Sequence, residues 1–150
     1  MTTQSVFLDT SFLVSTQMEA HAFHETSLSI LKPLIASSSK VTLATCPLVF
    51  DEFWYVLLGL WKSGPDLSKN FVREKLLLAT NNVFRFRNFK LLPTVLTEKD
   101  LLSNIELMFK FGLRSRDALI ASIMKKEGIK KIASFDTDFD KVSSITRIFE

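Results

Sequence analysis

Asp9, Glu52, Asp117 and Asp136 stand where strand-like apolar runs give way to helix-like or turn-like segments. If those segments assemble into one open α/β sheet, the four carboxylates meet at one edge of it, because ligands in such sheets bind beyond the carboxyl ends of the strands. Carboxylates gathered in a partly dry site repel one another and raise one another's pKa values. A cation removes that conflict. Oxygen-only ligands, without clustered His or Cys, suit Mg²⁺ or Mn²⁺, ions that keep several waters and bind through one or two direct carboxylates. Such an ion activates a water and neutralises the charge that develops on a phosphoryl group, and two ions clamp both the attacking and the leaving oxygen. Phosphodiester hydrolysis is the reaction this points to. Each acid taken alone is more simply a helix cap or a solvated charge; their joint placement is what carries the reading.

The elements that would position these acids follow from local patterning. Ser5-Val6-Phe7-Leu8 is a short β-branched and aromatic run ending at Asp9, after which Asp9-Thr10-Ser11 supplies side chains that cap a helix start. Residues 20–36 carry apolar side chains at helical spacing, which Pro33 is expected to kink or interrupt. A second strand is predicted at 40–44. Pro47 suits the first turn of a helix reaching Lys62 and stopped by Ser63-Gly64-Pro65, and Asp66 or Ser68 can cap the next, which Asn81-Asn82 breaks. Residues 83–92 alternate in part and read as a third strand, with a start that is equally helical. Thr97 and Asp100 resemble a capping box for a helix to Phe111, stopped by Gly112. Ser115 caps a helix over 116–127 with Gly128 as its stop, and strands are predicted at 131–135 and 145–149. Asp117 then lies in a first helical turn, where the helix dipole favours it, and Glu52 in a second. Strands alternating with helices imply a mainly parallel sheet covered on both faces.

Composition bounds the alternatives. With 150 residues, 47% hydrophobic and 23% charged, the chain fits one domain spanning residues 1–150 with a core of its own. No apolar run is long enough for a bilayer, since the longest, 47–61, carries Asp51 and Glu52. The first five residues lack a secretory pattern and Cys46 is the lone cysteine, so a cytoplasmic setting is expected, with Cys46 a small core residue. The net charge of +3 permits a polyanionic partner without requiring one.

Three segments carry a family resemblance: Phe7-Leu8-Asp9-Thr10-Ser11-Phe12-Leu13-Val14, Arg116-Asp117-Ala118-Leu119-Ile120-Ala121, and Ile132-Ala133-Ser134-Phe135-Asp136-Thr137-Asp138-Phe139. In content, order and spacing they look like the signature segments of PIN-domain nucleases, and the compact size is similar to the VapC-like ribonuclease toxins of toxin–antitoxin pairs. The resemblance implies a three-layer α/β/α fold and a Mg²⁺- or Mn²⁺-dependent endoribonuclease acting on RNA. It further implies that Asp9 and Asp117 are metal ligands, that Glu52 and Asp136 complete the acidic site, and that Thr10 or Ser11 supports the first Asp or contacts phosphate or metal water. The central segment offers Asp51 beside Glu52, and the last offers Asp138 and Asp140 beside Asp136, with Asp136 favoured and then Asp138. Arg114 and Arg116 flank Asp117 and are placed to reach a substrate phosphate or, equally, to be solvated.

Other features weigh less. His21 and His24 at i, i+3 could share a helix face as metal ligands, but with no third soft ligand they read as solvated or capping. Phe84-Arg85-Phe86-Arg87 suits an amphipathic strand with its phenylalanines in the core, ahead of an RNA-stacking role. The helix around Phe53-Trp54-Tyr55-Val56-Leu57-Leu58-Gly59-Leu60-Trp61 is apolar around nearly its whole circumference, so something must cover its outer face: a homodimer partner, an antitoxin's apolar segment, or deep burial. Two rivals stand beside the nuclease that serves as a toxin: a catalytically idle PIN-like module that binds RNA or protein, and an RNA-processing nuclease that is no toxin. A haloacid-dehalogenase-type phosphatase needs a second Asp two positions after the first, and Ser11 occupies that place.

Overall fold

The computed structural model describes residues 3–62 and 68–150. The elements run β1 (Gln4–Leu8), α1 (Thr10–Gln17), α2 (His24–Ala36), β2 (Val41–Thr45), α3 (Pro47–Lys62), α4 (Lys69–Phe84), β3 (Phe89–Leu91), α5 (Glu98–Phe111), α6 (Ser115–Lys126), β4 (Lys131–Ala133), a 3₁₀ turn (Thr137–Lys141) and β5 (Thr146–Ile148). All strand pairs are parallel and the order across the sheet is β3-β2-β1-β4-β5. The result is a three-layer α/β/α architecture. The chain first steps from β1 to β2 to β3 through α1–α4, which pack on one another, and then returns across the sheet to β4 through the paired α5 and α6. With right-handed crossovers the two helix groups lie on opposite faces. The reversal of direction falls between β1 and β4, so a crevice opens at the carboxyl ends of those two strands.

The central strand β1 is buried on both faces from Val6 to Leu8, as a parallel strand under two helical layers must be. Phe7, Phe12, Leu43, Phe53, Ile120 and Ile132 are fully buried around it. Cys46 is buried and free, as a small core residue should be. No helix among the described residues is long and apolar enough to cross a membrane.

Several local expectations need correction. Asp9 occupies the N-cap position of α1, but its side chain makes no cap hydrogen bond. Helix α2 begins at His24, so His21 lies in the preceding turn and the two histidines share no helix face. Pro33 does not stop α2. It lies three residues from the end, and the carbonyls of Pro33 and Ile35 are satisfied by Ser37 and Ser38. Helix α4 passes through Asn81-Asn82 to Phe84, because Val83 is fully buried and the Asn82 amide donates to Gln17 on α1 instead of competing for backbone. That absorbs the start of the expected third strand: only Phe89–Leu91 pairs, and Phe84 and Arg85 are a helix end and its cap. Arg114, not Ser115, takes the N-cap position of α6. The strands expected at 131–135 and 145–149 are shorter, three residues each. Ser68 caps α4 through the Phe71 N–H. The alternative cap Asp66 and the stop Ser63-Gly64-Pro65 lie outside the described residues. The capping box of Thr97 and Asp100 and the left-handed Gly112 bound α5 as expected.

Candidate functional site

The crevice between the ends of β1 and β4 is a cleft of about 260 Å³ lined by Asp9, Thr10, Ser11, Val14, His21, Glu52, Val56, Arg114, Asp117 and Asp136. Four segments deliver its acids. Asp9 follows β1 directly and its N–H donates to the Ala133 carbonyl at 3.1 Å, which stitches the two strand ends together. Its carboxylate accepts from Ser134 Oγ at 2.7 Å and from Ser11 Oγ at 3.0 Å. Each serine is itself fixed: Ser11 Oγ accepts the Phe135 N–H and Ser134 Oγ accepts the Asp136 N–H, both at 3.0 Å. Thr10 lines the cleft but aims its hydroxyl at the Val49 carbonyl, 3.5 Å away. Between the two hydroxyls flagged by the sequence, Ser11 is therefore the one that holds Asp9.

Asp117, in the first turn of α6, meets the cleft from the other side. Arg114 Nε donates to it at 3.1 Å, while Arg114 Nη2 pairs with Asp136 and Nε lies 3.8 Å from Asp138. Oxygens of Asp117, Asp136 and Asp138 come within 4.8 Å of one another, a group able to hold a metal ion. Asp136 also accepts the Asp138 N–H, closing the 3₁₀ turn that points both acids at α6. Asp138 is held by Lys141 at 2.6 Å, and Asp140 turns away to a two-point pair with Arg147. Glu52 lines the cleft from the second turn of α3 and pairs with Arg116 at 2.8 Å, whereas its neighbour Asp51 is exposed and only 3.5 Å from the same guanidinium.

Burial dominates the electrostatics. Asp9 and Asp117 are only 5% and 7% exposed. Burial raises the Asp9 pKa, opposed by its serine hydrogen bonds. Burial likewise pushes Asp117 up to about 6, although Arg114 pulls it down, and the nearby Asp136 and Asp9 add to the rise. Two buried carboxylates that resist ionisation, beside others on the same cleft, form a donor set a hard divalent cation would satisfy. The arrangement already accepts a cationic group, since the Arg114 guanidinium touches three of the acids while its side chain stays 71% exposed.

Two residues of the site were missed in the sequence, one that holds Asp9 and one that lines the cleft. Ser134 gave no signal beyond its place before Phe135-Asp136, because its contact to Asp9 spans 125 positions and exists only through the β1–β4 register. His21 was set aside with His24, yet it lines the cleft, whereas His24 Nδ1 is engaged 2.7 Å from the Ser15 carbonyl.

The sequence model of the PIN domain matches residues 6–145. Among solved structures, the chain is similar to VapC20 of Mycobacterium tuberculosis, described as a sarcin–ricin loop cleaving toxin, with a TM-score of 0.66 and 20% identity over 92% of this chain and 95% of that one. It is also similar to VapBC2 of Rickettsia felis, solved with a DNA fragment from its promoter (TM-score 0.65, 17% identity, 97% and 98% coverage). A toxin–antitoxin complex of Klebsiella pneumoniae gives a TM-score of 0.58 at 13% identity, covering 94% of this chain and 95% of that one. No curated protein is significantly similar in sequence.

Proposed function

The chain belongs to the PIN domain family, and we propose that its acidic cleft makes it a Mg²⁺- or Mn²⁺-dependent endoribonuclease, the toxin of a toxin–antitoxin pair working in the cytoplasm. The observation that carries this reading is the convergence of Asp9, Glu52, Asp117 and Asp136 on one cleft, with oxygens of Asp117, Asp136 and Asp138 close enough to share an ion. VapC20, similar in fold over nearly the whole chain, is a toxin that cleaves the sarcin–ricin loop, which favours RNA as the polyanion.

In this reading Asp9 and Asp117 are the direct ligands, with Asp136, Glu52 and then Asp138 completing the shell. A bound divalent ion supplies a water of lowered pKa and neutralises the charge developing on the scissile phosphate. The remaining work falls to the chain. Ser11 and Ser134 fix one Asp9 oxygen, so the carboxylate keeps a single orientation. Burial keeps the site partly dry, which strengthens every charge interaction in it. Arg114 and Arg116 emerge at the N-terminus of α6, where their guanidinium groups can leave the acids for a substrate phosphate. Partners follow from the surface: Tyr55 stands 77% exposed on α3 with the exposed Trp54 beside it, an apolar surface suited to a homodimer contact or to the apolar segment of an antitoxin.

One observation favours a second reading. Arg114 and Arg116 between them engage Asp117, Asp136, Asp138, Glu52 and Asp51, which offsets part of the cleft's negative charge without a metal and suits an idle RNA- or protein-binding module. The test is cleavage of a labelled RNA with Mg²⁺ or Mn²⁺. The nuclease reading expects cutting by the natural protein and loss of at least a hundredfold in Asp9→Asn and in Asp117→Asn with the fold retained. Full activity in both variants would reject the site. A protein that binds varied RNAs and never cuts them is the idle module. Cutting by a protein that does not arrest growth when expressed alone would make it a processing nuclease.

A further inference from the structure

We propose that His21 and Phe23 form a nucleotide subsite beside the acidic cleft, in which Phe23 stacks a base of single-stranded RNA and His21 donates a hydrogen bond to the same nucleotide. The inference rests on the ribonuclease reading and adds where the strand lies. Three phenylalanine rings climb from the core to the surface at this point. Phe12 is fully buried, Phe135 stacks on it with centroids 6.0 Å apart, and Phe23 stacks on Phe135 at 4.4 Å with planes 9° apart. The outermost ring remains 45% exposed. An aromatic face presented parallel to a supporting ring, and held by it, is what sequence-tolerant base stacking uses.

The ladder is tied to the site at two points. Its middle ring, Phe135, lies between Ser134 and Asp136 in the chain, and its N–H is bound by Ser11. His21 lines the cleft with Asp9, Glu52, Asp117 and Asp136, and its ring lies 5.9 Å from that of Phe23. The histidine's tautomer follows from its contacts: His21 Nδ1 accepts the Phe23 N–H at 3.1 Å, so a neutral ring carries its proton on Nε2 as a donor. Backbone bonds fix the turn, with His21 N–H on the Met18 carbonyl and the Phe23 carbonyl taken by the Ser27 N–H. A nucleotide joined to a phosphate at the acids therefore finds a donor and then an aromatic face along one wall, both already ordered.

The experiment uses the full chain and a single-stranded RNA oligonucleotide containing 2-aminopurine, with Ca²⁺ in place of Mg²⁺ or Mn²⁺ so that the acids stay neutralised, and with the strand checked to be intact on a gel. Stacking predicts quenching on binding by the natural protein. Phe23→Leu, which fills the same place against Phe135 without a π face, should weaken binding on the order of tenfold and lose the quenching, while Phe23→Trp keeps both. His21→Phe, which keeps a ring but no N–H, should weaken binding and leave quenching at saturation. If Phe23→Leu binds and quenches like the natural protein, or if Phe23→Trp loses as much as Phe23→Leu, the subsite is wrong and the stack only braces the turn. Binding without quenching by the natural protein overturns it even if a variant fails to fold. These failures leave Mn²⁺-dependent cleavage by the natural protein intact, whereas loss of the ribonuclease reading appears as no cleavage with Mg²⁺ or Mn²⁺, whether or not RNA is bound.

Discussion

Asp117 shows how a single residue sets the terms of the site. Folding buries its carboxyl and raises its pKa from 3.8 to about 6 against the pull of Arg114. The folded chain therefore holds that proton more tightly than the unfolded one. The associated stability is present in acid and is lost as pH rises through about 6. Asp117→Asn removes the charge, so at pH 8 without divalent ions the variant should be more stable than the natural protein by about 1–3 kcal/mol, and the gap should close towards pH 4. Melting both proteins at the two pH values decides it; an Asn variant that melts lower at pH 8 would mean the Arg114 pair outweighs burial. The same logic separates acids that looked alike in the sequence. Glu52 lines the cleft and Asp51 does not, a distinction of one helical position that apolar patterning around both cannot resolve. Asp140 was a candidate by spacing, and Arg147 removes it, a partner seven residues away that belongs to the next strand.

At the scale of elements, what could be read locally was read well. Helix α5 carries its own instructions: Thr97 and Asp100 cap each other's backbone and Gly112 takes φ 62° at the other end. Thr97→Ala should lower stability by about 1 kcal/mol, measured in denaturant, and leave divalent-ion affinity unchanged, because α5 contributes no residue to the cleft. A change in affinity would show that α5 positions Asp117 through its packing on α6. What the sequence concealed is what another element decides. Asp9-Thr10-Ser11 has cap composition, but the hydroxyls of Ser11, in the first turn of α1, and of Ser134, just after β4, hold the Asp9 carboxylate, which makes no cap hydrogen bond. Asn81-Asn82 looks like a helix break until Gln17 and the buried Val83 hold it in place. Residues 84–87 alternate as a strand would, yet α4 ends on Phe84, residues 85–88 form a turn, and only Phe89–Leu91 pairs with β2.

The whole molecule matters because no two of the four acids share an element: one follows β1, one lies on α3, one on α6 and one on the loop after β4. Only the parallel order β2-β1-β4 brings these segments to one crevice; the alternation of strands and helices, visible in the sequence, pointed to a parallel sheet at whose edge the acids could meet, but not to this strand order or to the individual contacts. The outer face of α3 belongs to this scale too. Tyr55 is 77% exposed beside the exposed Trp54, and a charge there should break the proposed homodimer: Tyr55→Glu is expected to raise the dimer dissociation constant by at least about tenfold in sedimentation equilibrium. A natural protein that is monomeric throughout would remove that contact. The central claim, that the converging acids hold a divalent cation, is tested most directly by anomalous diffraction from crystals grown with Mn²⁺. A peak in contact with the carboxylates of Asp9 and Asp117, with Asp136 around it and the Arg114 guanidinium displaced, is the predicted result. A cleft with no peak at saturating Mn²⁺ and Arg114 still bound to Asp117 and Asp136 would contradict it.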